Sequence, residues 1–383
     1  MFGRPQIVPY PIFRTVPFKR RISWERFRQL DELAPAGSAH TFGGNIKALS
    51  RATGSMEVWW IGEDLSVQGA SWYEGGQWNR YELAPANSAN PYHAGITAVS
   101  RIPESMEVWW IGEDLSVQGA SWYKGGQWNR YELAPTGSAA IEGGIIAVSR
   151  IPSSMEVWWI GKNGSVQGAS WYEGGQWNRY ELAPNSSAGE GGRITAVSRI
   201  PESMEVWWIG KNGSVQGASW YEGKQWNRYE LAPTGSASGC GAITALSRMP
   251  SNMEVWWKGE NGSVQGASWY EGGQWNQYEL APADSAAGFC GRITAVSRTP
   301  SSMEVWWIGK NGSVQGASWY EGGQWNRYEL ASVDSAAIQG EGGITAVSRI
   351  PGSMEVWWIG KNGSVQGALG NEGGQWRRFE LGF

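Results

Sequence analysis

Apolar residues along this chain come in short runs rich in Val, Ile and Trp, each ending at a cluster of Gly, Pro, Asn or Ser. No segment sustains the spacing of an amphipathic helix, so the pattern predicts strands throughout. The stretch from Ile145 shows the unit. Ile145 to Arg150 is a first run, closed by the turn Ile151-Pro152-Ser153-Ser154. Met155 to Ile160 is a second, made of strand-favouring side chains. It stops at Lys162-Asn163-Gly164-Ser165, where Asn-Gly is a strong hairpin signal because both residues tolerate positive φ. Val166 to Tyr172 and Trp177 to Leu182 are the third and fourth runs, parted by Glu173-Gly174-Gly175 and followed by Ala183-Pro184.

The unit recurs. Met-Glu-Val-Trp begins at Met56, Met106, Met155, Met204, Met253, Met303 and Met354, at intervals of 49 to 51 residues. Seven repeats of four antiparallel strands predict an all-β fold, a seven-bladed β-propeller over residues 40–383. One blade cannot bury both of its faces, so neighbours must stack and the ring must close. Large flat indoles suit the wedge-shaped gaps this leaves: of 28 tryptophans, all but Trp24 fall in the units, four in each and three in the last. Glu32-Leu33-Ala34-Pro35 repeats the end of a fourth run. Residues 1–39 are therefore expected to form an arm that also overlaps the last blade at ring closure.

A two-residue turn at Asn163-Gly164 would pair Trp159 with Gly168, Trp158 with Ala169 and Glu156 with Trp171. Alternation then puts Met155, Val157, Trp159, Val166, Gly168, Ser170 and Tyr172 on one face, and Glu156, Trp158, Ile160, Gln167, Ala169 and Trp171 on the other. The first face looks dry. The second mixes indoles with a carboxylate and an amide, and it tolerates change. Ile160 corresponds to Lys258 in the fifth unit, and Trp171 to Gly370 in the seventh. Losing a core tryptophan costs about 3–5 kcal/mol, so this face is expected to line a groove. The competing reading is that all four tryptophans of a unit pack between blades, as expected for Trp159 and Trp177.

The candidate binding set is thus Glu156, Trp158, Gln167 and Trp171, with Arg179 from the fourth run. Equivalent sets are Glu57, Trp59, Gln68, Trp72 and Arg80 in the first unit, and Glu107, Trp109, Gln118, Trp122 and Arg130 in the second. Glu205, Trp207, Gln216, Trp220 and Arg228 form the fourth; Glu254, Trp256, Gln265 and Trp269, with Gln277 in place of arginine, form the fifth; Glu304, Trp306, Gln315, Trp319 and Arg327 form the sixth. An indole beside a carboxylate, an amide and an arginine fork suits a small polyol with an apolar face. The arginine has a plainer reading as a salt bridge to the glutamate two residues on.

Composition narrows the classes. A net charge of −4 argues against nucleic acid, which selects a basic surface. The exception is local: residues 1–30 carry seven basic side chains against Glu25. That arm has no hydrophobic core of a secretory signal, so synthesis in the cytoplasm and release by a route other than Sec is expected. No apolar run is long enough to insert in a membrane. The two histidines, His40 and His93, fall in variable segments, and no catalytic triad, metal spacing or phosphate loop appears. The sequence therefore predicts neither an enzyme nor a cofactor. Cys240 and Cys290 occupy the same place in successive units, as a bridge or as two free thiols.

Units of the form ITAVSRIP-x-SMEVWWIGKNGSVQGASWYEGGQWNRYELAP resemble the repeats of the PLL-type seven-bladed propeller lectins of Photorhabdus, over about residues 40–383. The resemblance implies calcium-independent binding of L-fucose and O-methylated or related sugars in clefts between blades. It further implies fucosylated or methylated glycans as partners, homo-oligomers, and a bacterial role in interaction with an insect host. A kelch-like scaffold presenting loops to a protein is the other reading of a repeat of this length.

Overall fold

A computed structural model of the chain describes residues 33–42, 45–92, 95–189, 191–288, 291–338, 343–371 and 376–379. The basic arm up to residue 32 lies outside them. Asp31–Phe383 form one compact unit. Each repeat folds into a four-stranded antiparallel sheet in chain order, and there are seven such sheets. In blade 3 the strands are Ile145–Val148, Ser154–Ile160, Val166–Tyr172 and Asn178–Ala183. The first strands of successive blades touch all the way round, the seventh against the first. The first strand is therefore innermost, and the seven-bladed propeller is closed.

Burial along each blade explains the repeat's composition. The second strand, Ser-Met-Glu-Val-Trp-Trp-Ile in most blades, is buried at every position because a blade lies against each of its faces. The outer strand is exposed until its Leu-Ala end. Ring closure uses both chain ends. Residues 376–379 pair with the third strand of blade 7, and Ala34 takes the next place, accepting a 3.1 Å hydrogen bond from Val365. Gly37 and Ala39 extend the contact by donating to Asn362 and Gly363. Ala34 thus lies against the third strand of blade 7 beyond residues 376–379.

The central hairpin corrects the expected register. Ile160 pairs with Val166, Trp158 with Gly168, Glu156 with Ser170 and Met155 with Trp171. Gly161 N–H donates to Ser165 O at 2.9 Å, so the loop holds three residues, with Gly164 at φ +73°. A three-residue loop ending in a left-handed residue is a standard hairpin form, and one added residue slides the third strand by one place. In a strand that slip moves every side chain to the opposite face. Gln167, Ala169 and Trp171 therefore share a face with Trp159. Trp158 shares its face with Gly168 and with Tyr180, whose ring lies so close that a Cβ on Gly168 would stand 2.5 Å from it.

Both faces are dry over most of their area. Between blades 3 and 4, Trp158, Ile160 and Val166 pack against Met204, Val206, Trp208 and Ala218. Trp158 also meets Trp226 edge to face, with centroids 6.0 Å apart. Lys258 is no sign of a wet face either. It is buried, and its ammonium donates to the Gly288 carbonyl. Cys240 is held in a disulfide; the chain's other cysteine, Cys290, lies outside the described residues.

Candidate functional site: arginine clefts between blades

The expected binding set is divided three ways. Trp59, Trp109, Trp158, Trp207, Trp256 and Trp306 are each 0% exposed, so they are core and cannot line a groove. Four of the six use the indole N–H in structure: Trp59, Trp158, Trp207 and Trp306 donate to Tyr81, Tyr180, Tyr229 and Tyr328 at 2.9–3.0 Å. In blade 3 the Tyr180 hydroxyl then reaches Glu156 at 3.4 Å. This relay fixes a carboxylate from behind.

The second group gathers at the end of the disc that carries the central hairpin turns. There Gln68 and Arg80, Gln118 and Arg130, Gln216 and Arg228, and Gln315 and Arg327 line four grooves of about 440, 610, 630 and 580 Å³. Trp60, Trp110, Trp208 and Trp307 lie beneath them. Their polar groups already hold one another. Gln216 donates to Ser214 at 2.8 Å and to Glu230 at 3.2 Å, and Gln118 donates to Ser116 at 2.7 Å. The amide thus takes the glutamate assigned in sequence to the arginine. Gln167 and Glu181 repeat that pairing at 3.3 Å. Gln265 does the same with Glu279 at 3.3 Å, and Gln277 turns away to the Leu231 carbonyl. Arg179 is exposed on the outer strand, with no ion pair to Glu181 among the described residues.

The third group, the glutamates and the Trp171-type indoles, comes together at the opposite end of the disc across blade boundaries rather than within a blade. Between them stands an arginine that the sequence reading passed over. Arg101 closes the first run of blade 2. Its guanidinium lies 5.6 Å from the ring centre of Tyr123 in its own blade and 4.9 Å from that of Trp171 in the next. One terminal nitrogen donates to the Pro152 carbonyl of blade 3 at 2.8 Å and the other to the Tyr123 hydroxyl at 3.1 Å. Its Nε is buried and donates to no protein group. Beside it Glu107 is 2% exposed, and burial pushes its carboxyl up to about 8 despite the nearby charge of Arg101.

The arrangement recurs. Arg150, Arg199 and Arg248 lie over Trp220, Trp269 and Trp319 at 4.8–5.0 Å, and each Nε is likewise buried without a partner. Their carboxylates, Glu156, Glu205 and Glu254, are all pushed up to about 8 by burial. Tyr123, Tyr172, Tyr221 and Tyr270 stay 39–43% exposed at the mouths. Each cleft therefore offers an unused charged donor, a buried acceptor and two aromatic rings from adjacent blades. Unsatisfied buried polar groups are uncommon and costly, and the Nε of each of these four arginines is one. The signal for Arg101 was present in the sequence: Ser-Arg closes the first run of all seven units.

No family model and no curated protein matches this chain. Among solved structures, it is similar to the BP39L lectin from Burkholderia pseudomallei, with a TM-score of 0.80 at 18% identity over 90% of this chain and 98% of that one. It is also similar to the six-bladed fucose-recognising lectin of Aleuria aurantia, with a TM-score of 0.56 at 17% identity over 80% and 98% of the two chains. The SapL1 lectin, solved with α-methyl fucoside, has a TM-score of 0.57 at 20% identity over 74% of this chain and 94% of that chain. At these identities the likeness establishes the propeller fold.

Proposed function

We propose that this protein is a multivalent lectin that binds L-fucose and related sugars in its arginine clefts. The observation that carries the reading is the unpartnered Nε of Arg101, Arg150, Arg199 and Arg248, each beside a buried glutamate and under a tryptophan ring. Adjacent sugar hydroxyls can accept from the guanidinium and hydrogen-bond to the buried carboxyl, while the apolar C–H face of the ring lies on the indole. Fucose adds a methyl group to that apolar face. The fucose-recognising propeller lectin of Aleuria aurantia and the SapL1 complex with α-methyl fucoside support that choice of sugar. A monosaccharide makes few contacts, so each site is weak. Several sites on one rigid disc raise avidity on a glycan-coated surface by about 10²–10⁴. A kelch-like protein scaffold gains nothing from equal clefts repeated around a ring. Calorimetry with methyl α-L-fucoside tests the proposal: saturable binding is expected, and absence of heat up to tens of millimolar sugar, with a glycan array equally silent, would overturn it.

A further inference from the structure

The seven arginine positions are not equivalent, and the departures cluster. Four contiguous clefts, those of Arg101, Arg150, Arg199 and Arg248, have the tyrosine, the tryptophan and the free Nε together. The other three flank the seam where the chain ends meet. Between blades 6 and 7, Arg298 meets Tyr320 alone, because Gly370 stands where the other blades have tryptophan. That glycine is put to structural use: a Cβ there would lie 2.8 Å from the ring of Trp376, which occupies the space. Between blades 7 and 1, Asn371 replaces the tyrosine, and Arg349 Nε closes on Glu355 at 2.8 Å. Between blades 1 and 2 both rings are present, but Arg51 Nε closes on Glu57 at 3.2 Å. At these two closed pairs Nε is already committed to the carboxylate, whereas at the four others it has no protein partner. A sugar hydroxyl would have to displace that contact there.

Resting on the sugar-binding reading, we infer that the disc carries its working sites on one arc of four adjacent clefts, from blade 2 to blade 6, and that the three clefts around the seam are idle. The seam clefts lose either the aromatic platform or the free donor. A charge-assisted hydrogen bond is worth tenfold to about a hundredfold in affinity, so the idle sites fall outside the range in which the other four fill. Such an arc presents a one-sided array to a glycan surface, and every site in it lies at the same end of the disc.

Native mass spectrometry and calorimetry on the full chain with methyl α-L-fucoside read the count directly. Four equivalent sites are expected. Trp171→Ala should lower the count to three. A variant with Arg101, Arg150, Arg199 and Arg248 all changed to Met should bind no sugar while keeping its strand circular dichroism. Seven sites in the parent chain, or three surviving in the fourfold variant, would overturn the arc and leave the sugar-binding reading standing. No binding by the parent chain would overturn that reading itself. If the fourfold variant does not fold, the single Trp171→Ala count decides: four to three supports the arc, and seven to six refutes it.

Discussion

Replacing Trp158 by alanine should damage the fold, whereas replacing Trp171 should damage one binding cleft. The two residues lie in adjacent strands of one blade, and the faces they occupy decide the difference. Trp158 is fully buried, meets Trp226 edge to face, and donates to the Tyr180 hydroxyl at 2.9 Å. Deleting a buried tryptophan costs about 3–5 kcal/mol, and depriving Tyr180 of its indole donor adds about 1 kcal/mol. Trp171 is partly exposed and lies over Arg101 at 4.9 Å. It loses a cation–π contact of about 0.5–2 kcal/mol and only part of a hydrophobic burial. The variants should therefore separate by about 2 kcal/mol or more in urea unfolding followed by far-UV circular dichroism. Trp158→Ala, where still folded, should keep every cleft but its own. If Trp158→Ala instead unfolds like the parent chain while Trp171→Ala collapses, the two-residue turn register is right and the face assignment made from the structure is wrong.

Three further outcomes follow from the packing. Burial lifts Glu156 from 4.5 to about 8, so the folded chain keeps a proton that the unfolded chain has lost. The resulting stability is full below pH 4.5 and falls as pH rises toward 8, and Glu156→Gln should remove about 1.4 kcal/mol per pH unit of that loss in urea titrations. Lys258→Ile installs the residue that the six other blades carry and removes a charge from a dry face; a gain of about 1 kcal/mol in the same unfolding assay is expected. Deleting residues 1–39 strips Ala34, Gly37 and Ala39 from blade 7, and limited proteolysis should then cut the third strand of that blade, near Val365, before any other.

The blade count and the strand runs were legible in the sequence because each rests on repetition, and seven copies leave little room for another period. The hairpin register was not. Asn163-Gly164 reads as a two-residue turn, but the first two units have Glu-Asp-Leu-Ser there. That sequence has no glycine, and it suits a loop needing one left-handed residue, which Leu65 and Leu115 supply at φ +63°. One residue of loop moved Gln167 and Trp171 to the other face and hid Trp158 between blades. Glu156 and Trp171, grouped in one candidate set from the sequence, lie in different clefts, Glu156 beside Arg150 and Trp171 beside Arg101. Trp171 meets Arg101 of the preceding blade, a pairing no local pattern reports. Arg101 was overlooked because it ends a run and looks like a turn residue, while its contacts all lie in three dimensions.

The central claim is that sugar enters the arginine clefts and not the grooves at the other end of the disc. A crystal soaked with methyl α-L-fucoside tests it most directly. The account predicts a fucoside lying on the indole of Trp171, with its hydroxyls between Arg101 and Glu107, and the same pose at Trp220, Trp269 and Trp319. A fucoside found only among Trp110, Gln118 and Arg130 and their equivalents, with the Arg101 cleft unchanged, would contradict it.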